Sequence, residues 1–274
     1  MVLIHGYPDT KEMWGPVIAR LAGRFHVVAY DVRGAGSSDA PPGRRAYDFW
    51  RLGDDLLAVI EGAARGEGVH LAGHDWGGLQ GWEFATQPRF ADRLRSFTAI
   101  AAPSLDQVSL SGGGGWRHRL RWARQARRSW YIAALLLPGG PELMWRGALG
   151  GGRWRRQLEH AEGVPVDAGY PAPTLVRDAI QGANLYRRNV PRRMLQPRRD
   201  ALAHVPVQLV VPTRDRYIPL GYYELADRHA PTLRRRVIDR SHWLPRTDPD
   251  LVAEWVATFV QEVEAEGGEP SSAE

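Results

Sequence analysis

The chain has 274 residues, a formal net charge of +5 and no cysteine. That length allows one large domain or a domain with an insertion, and the missing thiols exclude disulfides and thiolate metal sites. No apolar run approaches the roughly 20 residues that cross a bilayer, so membrane-spanning classes are set aside and a soluble, cytoplasmic protein is expected.

The start, Met1-Val2-Leu3-Ile4, reads as a short strand ended by His5-Gly6-Tyr7-Pro8, without the basic flank and cleavage site of a signal peptide. A glycine there lets backbone N–H groups turn towards a ligand. Asp9-Thr10 is expected to cap a helix over about Lys11 to Leu21. Phe25 to Tyr30 reads as a buried parallel strand. The loop Asp31 to Asp39 is rich in glycine and serine, and Phe49 to Ala63 has apolar residues at helical spacing. Val69 to Ala72 is a buried strand, Leu79 to Thr86 a helix and Leu94 to Ala101 another strand. This alternation implies a parallel sheet with helices on both faces. The loops at His5–Pro8, Asp31–Asp39 and Gly73–Gly77 all follow strands, which places them on one rim.

From about Ser104 the pattern changes. Ser111 and four glycines form a linker, followed by helical segments with many tryptophans. Residues 104–200 carry 17 arginines against 7 acidic residues. They are expected to form a helical insertion over the rim. Lys11 is the only lysine, so the arginine excess reads as composition bias rather than as a nucleic-acid surface. The strand pattern resumes at Val205 to Val211, then a helix over about Leu220 to His229, a strand from Arg234 to Ile238 and a closing helix from Pro249 to Val263. Residues 264–274 are polar and small and are expected to be disordered. The expected division is 1–103 and 201–263 as an α/β core, and 104–200 as a cap.

The central motif is Gly73-His74-Asp75-Trp76-Gly77, a G-x-D-x-G turn between strand and helix. The related G-x-S-x-G turn forms a nucleophile elbow in that context. Side chains at 73 and 77 would collide with backbone, and the residue at the apex projects from the strand end. Here it is Asp75, and a carboxylate can form an ester that water then cleaves. Asp215 and His242 also follow predicted strands, in the chain order nucleophile, acid, base. Asp75 needs no deprotonation, so His242 is assigned to the second step, taking a proton from water, with Asp215 holding the imidazole. The backbone N–H groups of Trp76 and Tyr7 are the expected oxyanion hole. His5 and His74 are read as packing residues.

Together, His5-Gly6-Tyr7-Pro8, Asp31 to Asp39, Gly73 to Gly77 and Ser241-His242-Trp243 resemble the epoxide hydrolases of the α/β-hydrolase fold. The resemblance covers most of the chain. It implies opening of a small hydrophobic epoxide by Asp75 and hydrolysis to a vicinal diol, with no cofactor, no metal and no nucleic-acid partner. Oligomeric state is left open. The family protonates the epoxide oxygen with two cap tyrosines. Asn184-Leu185-Tyr186-Arg187 resembles the motif of one, which implies Tyr186 as a proton donor. Tyr131 is the nearest candidate for the other, with Tyr170 a weaker substitute. Family members also carry two strands ahead of the H-G-x-P strand, and these are missing here. Haloalkane dehalogenase, with the same three residues, is the first alternative. A non-catalytic hydrolase-fold binding domain is the second.

Overall fold

The computed structural model describes residues 1–63, 68–111, 130–150 and 152–268. The linker glycines after Ser111, and Trp116 and Trp122, lie outside the described residues. Six strands form one sheet: β1 (Val2–Ile4), β2 (Val28–Tyr30), β3 (Val69–His74), β4 (Leu94–Ile100), β5 (Val207–Pro212) and β6 (Leu233–Ile238). They lie in the order β2-β1-β3-β4-β5-β6, and every pairing is parallel. Parallel strands need crossovers, and the helices that make them cover both faces, so the central strands read as continuous apolar runs. All six residues of β5 are buried, as are five of the six in β3.

The chain winds outward from β1 to β2, then returns to the other side of β1 to lay down β3. Strand order therefore reverses between β1 and β3, where open α/β sheets leave a crevice at the carboxyl ends. Tyr7 follows β1 and Asp75 follows β3.

Strands β4 and β5 pair directly, with Phe97 opposite Val207 and Ile100 opposite Val210, although a long helical segment separates them in sequence. It includes helices at Leu105–Leu110, Trp130–Leu136, Arg153–Ala161 and Leu175–Leu195. Its departure and return are tied together by a buried ion cluster. Arg198 bonds Asp106 at 2.7 Å and Arg193 bonds Glu83 at 2.7 Å.

Several expectations change. β2 is half-buried and not enclosed, because among the described residues it ends the sheet and pairs with β1 alone. The helix expected over Lys11 to Leu21 is a 3-10 turn, Lys11–Trp14, followed by an α-helix, Gly15–Leu21. Thr10 makes no capping bond, and the Asp9 carboxylate is used elsewhere. The segment from Leu220 to His229 is likewise split, into Leu220–Tyr223 and Ala226–His229. The closing helix runs on to Gly268. Glu264, expected in a disordered tail, is held by Arg95 at 3.0 Å and His70 at 2.9 Å. No described helix is long and apolar enough to cross a membrane.

Candidate active site

The turn after β3 is forced by close packing. A side chain at Gly73 would strike the backbone of Gly77, and one at Gly77 would strike the backbone of Ile4. The turn leaves Asp75 at φ 51°, ψ −121°, a conformation that costs a non-glycine residue free energy and concentrates at functional sites. Gly6 lies against it, since a Cβ there would sit 2.6 Å from the Asp75 Cβ. That close approach lets the Tyr7 N–H reach Asp75 Oδ1 at 2.8 Å. The Trp76 N–H also bonds the carboxylate.

Asp75 Oδ2 faces the other way and lies 3.6 Å from His242 Nε2. The opposite ring nitrogen, Nδ1, is 2.7 Å from Asp215 Oδ2. Asp215 is fixed in turn by the backbone N–H groups of Tyr217 and Ile218, at 2.7 and 3.0 Å on Oδ1. The flanking arginines go elsewhere, Arg214 to Asp239 and Arg216 towards Glu162. Burial raises the Asp75 carboxyl above the usual range, against the pull of His242 and the two N–H groups. Burial alone would lower the His242 imidazole. The charges of Asp215, Asp75 and Glu162 outweigh it and raise the group to about 9.

His74 lies beneath the site, its Nε2 on the His242 carbonyl at 3.0 Å. Burial drives its pKa well below the ordinary value, so it is a neutral support. His5 ties its turn to the loop after β2, its Nε2 accepting the Val32 N–H at 2.9 Å.

Above the sheet rim is a cavity of about 660 Å³ lined by Asp75, His242, Tyr131 and Tyr186, with Trp145 and Met144 on its apolar side. Tyr186 stands on the helix Leu175–Leu195, its ring 4.7 Å from that of Trp76 and 5.1 Å from that of Tyr7. Trp76 gives its phenol a side-chain hydrogen bond. Burial holds both phenols, Tyr131 and Tyr186, well above their ordinary pKa, and the Asp75 charge acts on each. Tyr7 ties the two halves of the site. Its hydroxyl donates to the Ala179 carbonyl at 3.0 Å and accepts from Trp145 Nε1 at 2.7 Å.

Two expectations fail to reach the cavity. Tyr170 is buried outside it, and its hydroxyl donates to Asp9 Oδ1 at 2.8 Å. The Asp31–Asp39 loop is held elsewhere, with Asp31 bonded by Lys11 Nζ at 2.6 Å and the Ser37 N–H at 3.0 Å, and the Gly36 N–H on Asp178 Oδ2 at 3.0 Å. None of its residues lines the cavity. Conversely, Trp145, Tyr217 and Glu162 surround the site without having been singled out. Trp145 carried a signal, as one of a tryptophan cluster, but nothing in its spacing aimed it at Tyr7. Among the described residues no group of His, Asp and Glu is placed to hold a metal ion.

Residues 1–249 match the alpha/beta hydrolase fold family. The chain belongs to that family. Along its whole length it is 38% identical to "Probable oxidoreductase EphD" of Mycobacterium tuberculosis, of which it spans 47%. The chain thus covers about half the length of that relative. It is 25% identical to mouse "Epoxide hydrolase 4", over 96% of this chain and 73% of the mouse protein. The epoxide hydrolase of Bacillus megaterium superposes with a TM-score of 0.78 at 21% identity, covering 95% of this chain and 93% of that one. Epoxide Hydrolase A of Mycobacterium thermoresistibile gives 0.73 at 23%, covering 95% and 90%. At such identities these two structures show a shared alpha/beta hydrolase architecture.

Proposed function

We propose that the chain hydrolyses an epoxide to a vicinal diol through a covalent ester on Asp75, within a core of 1–103 and 201–263 capped by 104–200. The observation that carries this reading is the split environment of the Asp75 carboxylate. Oδ1 is already held by the Tyr7 N–H, and Oδ2 is left facing the cavity and His242. Oδ2 attacks an epoxide carbon, the carbon–oxygen bond of the ring breaks, and the ring oxygen takes a proton from a cap phenol, Tyr186 or Tyr131. A phenol suits this because the departing alkoxide is more basic than a phenolate, and burial keeps both tyrosines protonated until then. Water then attacks the ester carbon while His242 Nε2 takes its proton. Oδ1, which accepts the Tyr7 N–H, carries the oxyanion. Collapse breaks the bond between the ester carbon and the alkyl oxygen, which takes the proton from His242 as the diol leaves; the second water proton returns to the cap phenolate, and the Asp75 carboxylate is restored.

The names of mouse "Epoxide hydrolase 4" and of the structural relatives support this substrate class. "Oxidoreductase" is said of a protein about twice this length, and the groups gathered here favour hydrolysis. A haloalkane reading has less support. It needs free N–H donors for a halide, whereas the Trp76 side chain is engaged with Tyr186 and that of Trp145 with Tyr7. The apolar lining fits a hydrophobic substrate. The test is to quench the enzyme during turnover of an aryl epoxide and map the adduct by peptide mass. The expected result is one alkyl group on the peptide bearing Asp75, and a steady-state enzyme that never carries it would refute the covalent route.

A further inference from the structure

Glu162 ends the helix Arg153–Ala161 and is 4% exposed. Among the described residues, neither of its carboxylate oxygens has a hydrogen-bond partner. Its ion-pair partner is Arg216 Nε at 3.9 Å, on a side chain that is 65% exposed. A buried carboxylate with so little compensation costs folding free energy, which directs attention to what it faces. Ser241 Oγ donates to the Glu162 carbonyl at 3.1 Å, fixing the helix end against the residue immediately before His242. The groups that feel its charge are His242, Arg216, Asp215 and Tyr217.

We propose that Glu162 is a positioning residue for the second half-reaction, its negative charge supporting proton transfer from water to His242 after the ester has formed. This rests on the covalent reading above. In the free enzyme Asp215, Asp75 and Glu162 do most to favour the imidazolium, and Asp9 interacts with it as well. Ester formation neutralises Asp75. Desolvation of the ring still opposes its protonation. The neighbouring His74 is neutral and offers no charge in place of Asp75, and the Tyr217 phenol is protonated. Asp215, Glu162 and Asp9 then remain, Asp215 bonded to Nδ1 and the other two acting through space. The step Glu162 serves balances simply. The water oxygen bonds to the ester carbon, one of its protons moves to Nε2 and leaves with the alkyl oxygen as the diol departs, and the other returns to the phenolate left by ring opening.

The sign follows from the charge. Removing Glu162 makes the imidazole easier to deprotonate and a weaker base. The acid limb of ester hydrolysis should then move to lower pH by about one unit. On the plateau above that limb, hydrolysis should slow on the order of threefold. Ester formation should be unchanged, because His242 does not take part in it.

The experiment is single-turnover quenched flow with an aryl epoxide across a pH series, following growth and decay of the Asp75 adduct by mass. Wild type, Glu162→Gln and Glu162→Asp are compared, with thermal melts of each. The expected result is an acid limb shifted down in Glu162→Gln and restored towards wild type in Glu162→Asp, at equal rates of ester formation. Glu162→Met, which buries no charge, replaces Glu162→Gln if that variant melts early and should show the same shift. An unmoved limb in a folded charge-removing variant overturns the proposal while leaving the covalent reading intact. Absence of any Asp75 adduct in wild type overturns both.

Discussion

The two walls of the cavity are built differently. The lower wall, Asp75, Asp215 and His242, stands on turns at the ends of β3, β5 and β6, and backbone N–H groups fix its carboxylates. The upper wall, Tyr131, Tyr186 and Trp145, stands on helices of the insertion. Its polar atoms touch the lower wall through side chains and helix carbonyls, chiefly at Tyr7. One wall is set by strand register, where a slip of one residue would reverse every side chain. The other is set by how the insertion docks. The lower wall therefore suits charge that must not move, and the upper wall suits groups that shape the substrate and give up a proton.

The largest expected effect strikes the lower wall. Asp75→Asn keeps the shape and the backbone bonds available but removes the proposed nucleophile. Turnover of an aryl epoxide should fall by about 10⁴-fold or more, with no adduct at that peptide. Turnover within tenfold of wild type, on roughly the same scale, would break the assignment of chemistry to this wall.

The same division decides what could be read from the residues alone. Asp75, Asp215 and His242 were legible because each follows an apolar run, and a parallel sheet brings all such ends to one rim. The glycines at 73 and 77 added a steric reason for the turn. Tyr170 misled because spacing on an irregular insertion says nothing about direction, and its hydroxyl turns to Asp9. Asp9 followed a capping pattern but was drawn to Tyr170 and to Trp243 Nε1 at 3.0 Å. A buried carboxylate with two donors at hand gains more from them than from a helix end at the surface. Glu162 gave no local signal, since its partners lie on distant turns of the core.

A smaller effect is expected at the upper wall. Tyr186→Phe and Tyr131→Phe each remove one phenolic proton and should slow ester formation by about 10²-fold, within the usual range for general-acid catalysis. Ester decay should hardly change. If the two phenols share the developing alkoxide, the double variant should lose ester formation by more than either alone. Two single variants with wild-type ester formation would show that the upper wall only encloses the substrate, and would move the proton source to the lower wall.

The smallest expected effect separates a tyrosine of the cavity from one behind it. Tyr170 is 1% exposed, with the Arg246 guanidinium 4.2 Å over its ring and its hydroxyl on Asp9. Burial raises the Asp9 carboxyl to about 6, and the bonds from Tyr170 and Trp243 limit that rise. Because the folded value lies above the ordinary one, Asp9 favours the fold most when it is protonated, and that contribution is lost as pH rises through about 6. Tyr170→Phe removes a donor to the charged form. The variant should lose about 1–2 kcal/mol above that pH, where a charge-assisted bond is lost, and less below it. Melting temperature should accordingly drop by about 2–8 °C at this chain size in the alkaline range and by less in the acid range. Ester formation should stay at the wild-type rate, in contrast to Tyr131→Phe. A Tyr170→Phe enzyme that melts normally but forms ester slowly would place this hydroxyl at the substrate, and the separation between a reacting upper wall and a supporting layer behind it would have to be redrawn.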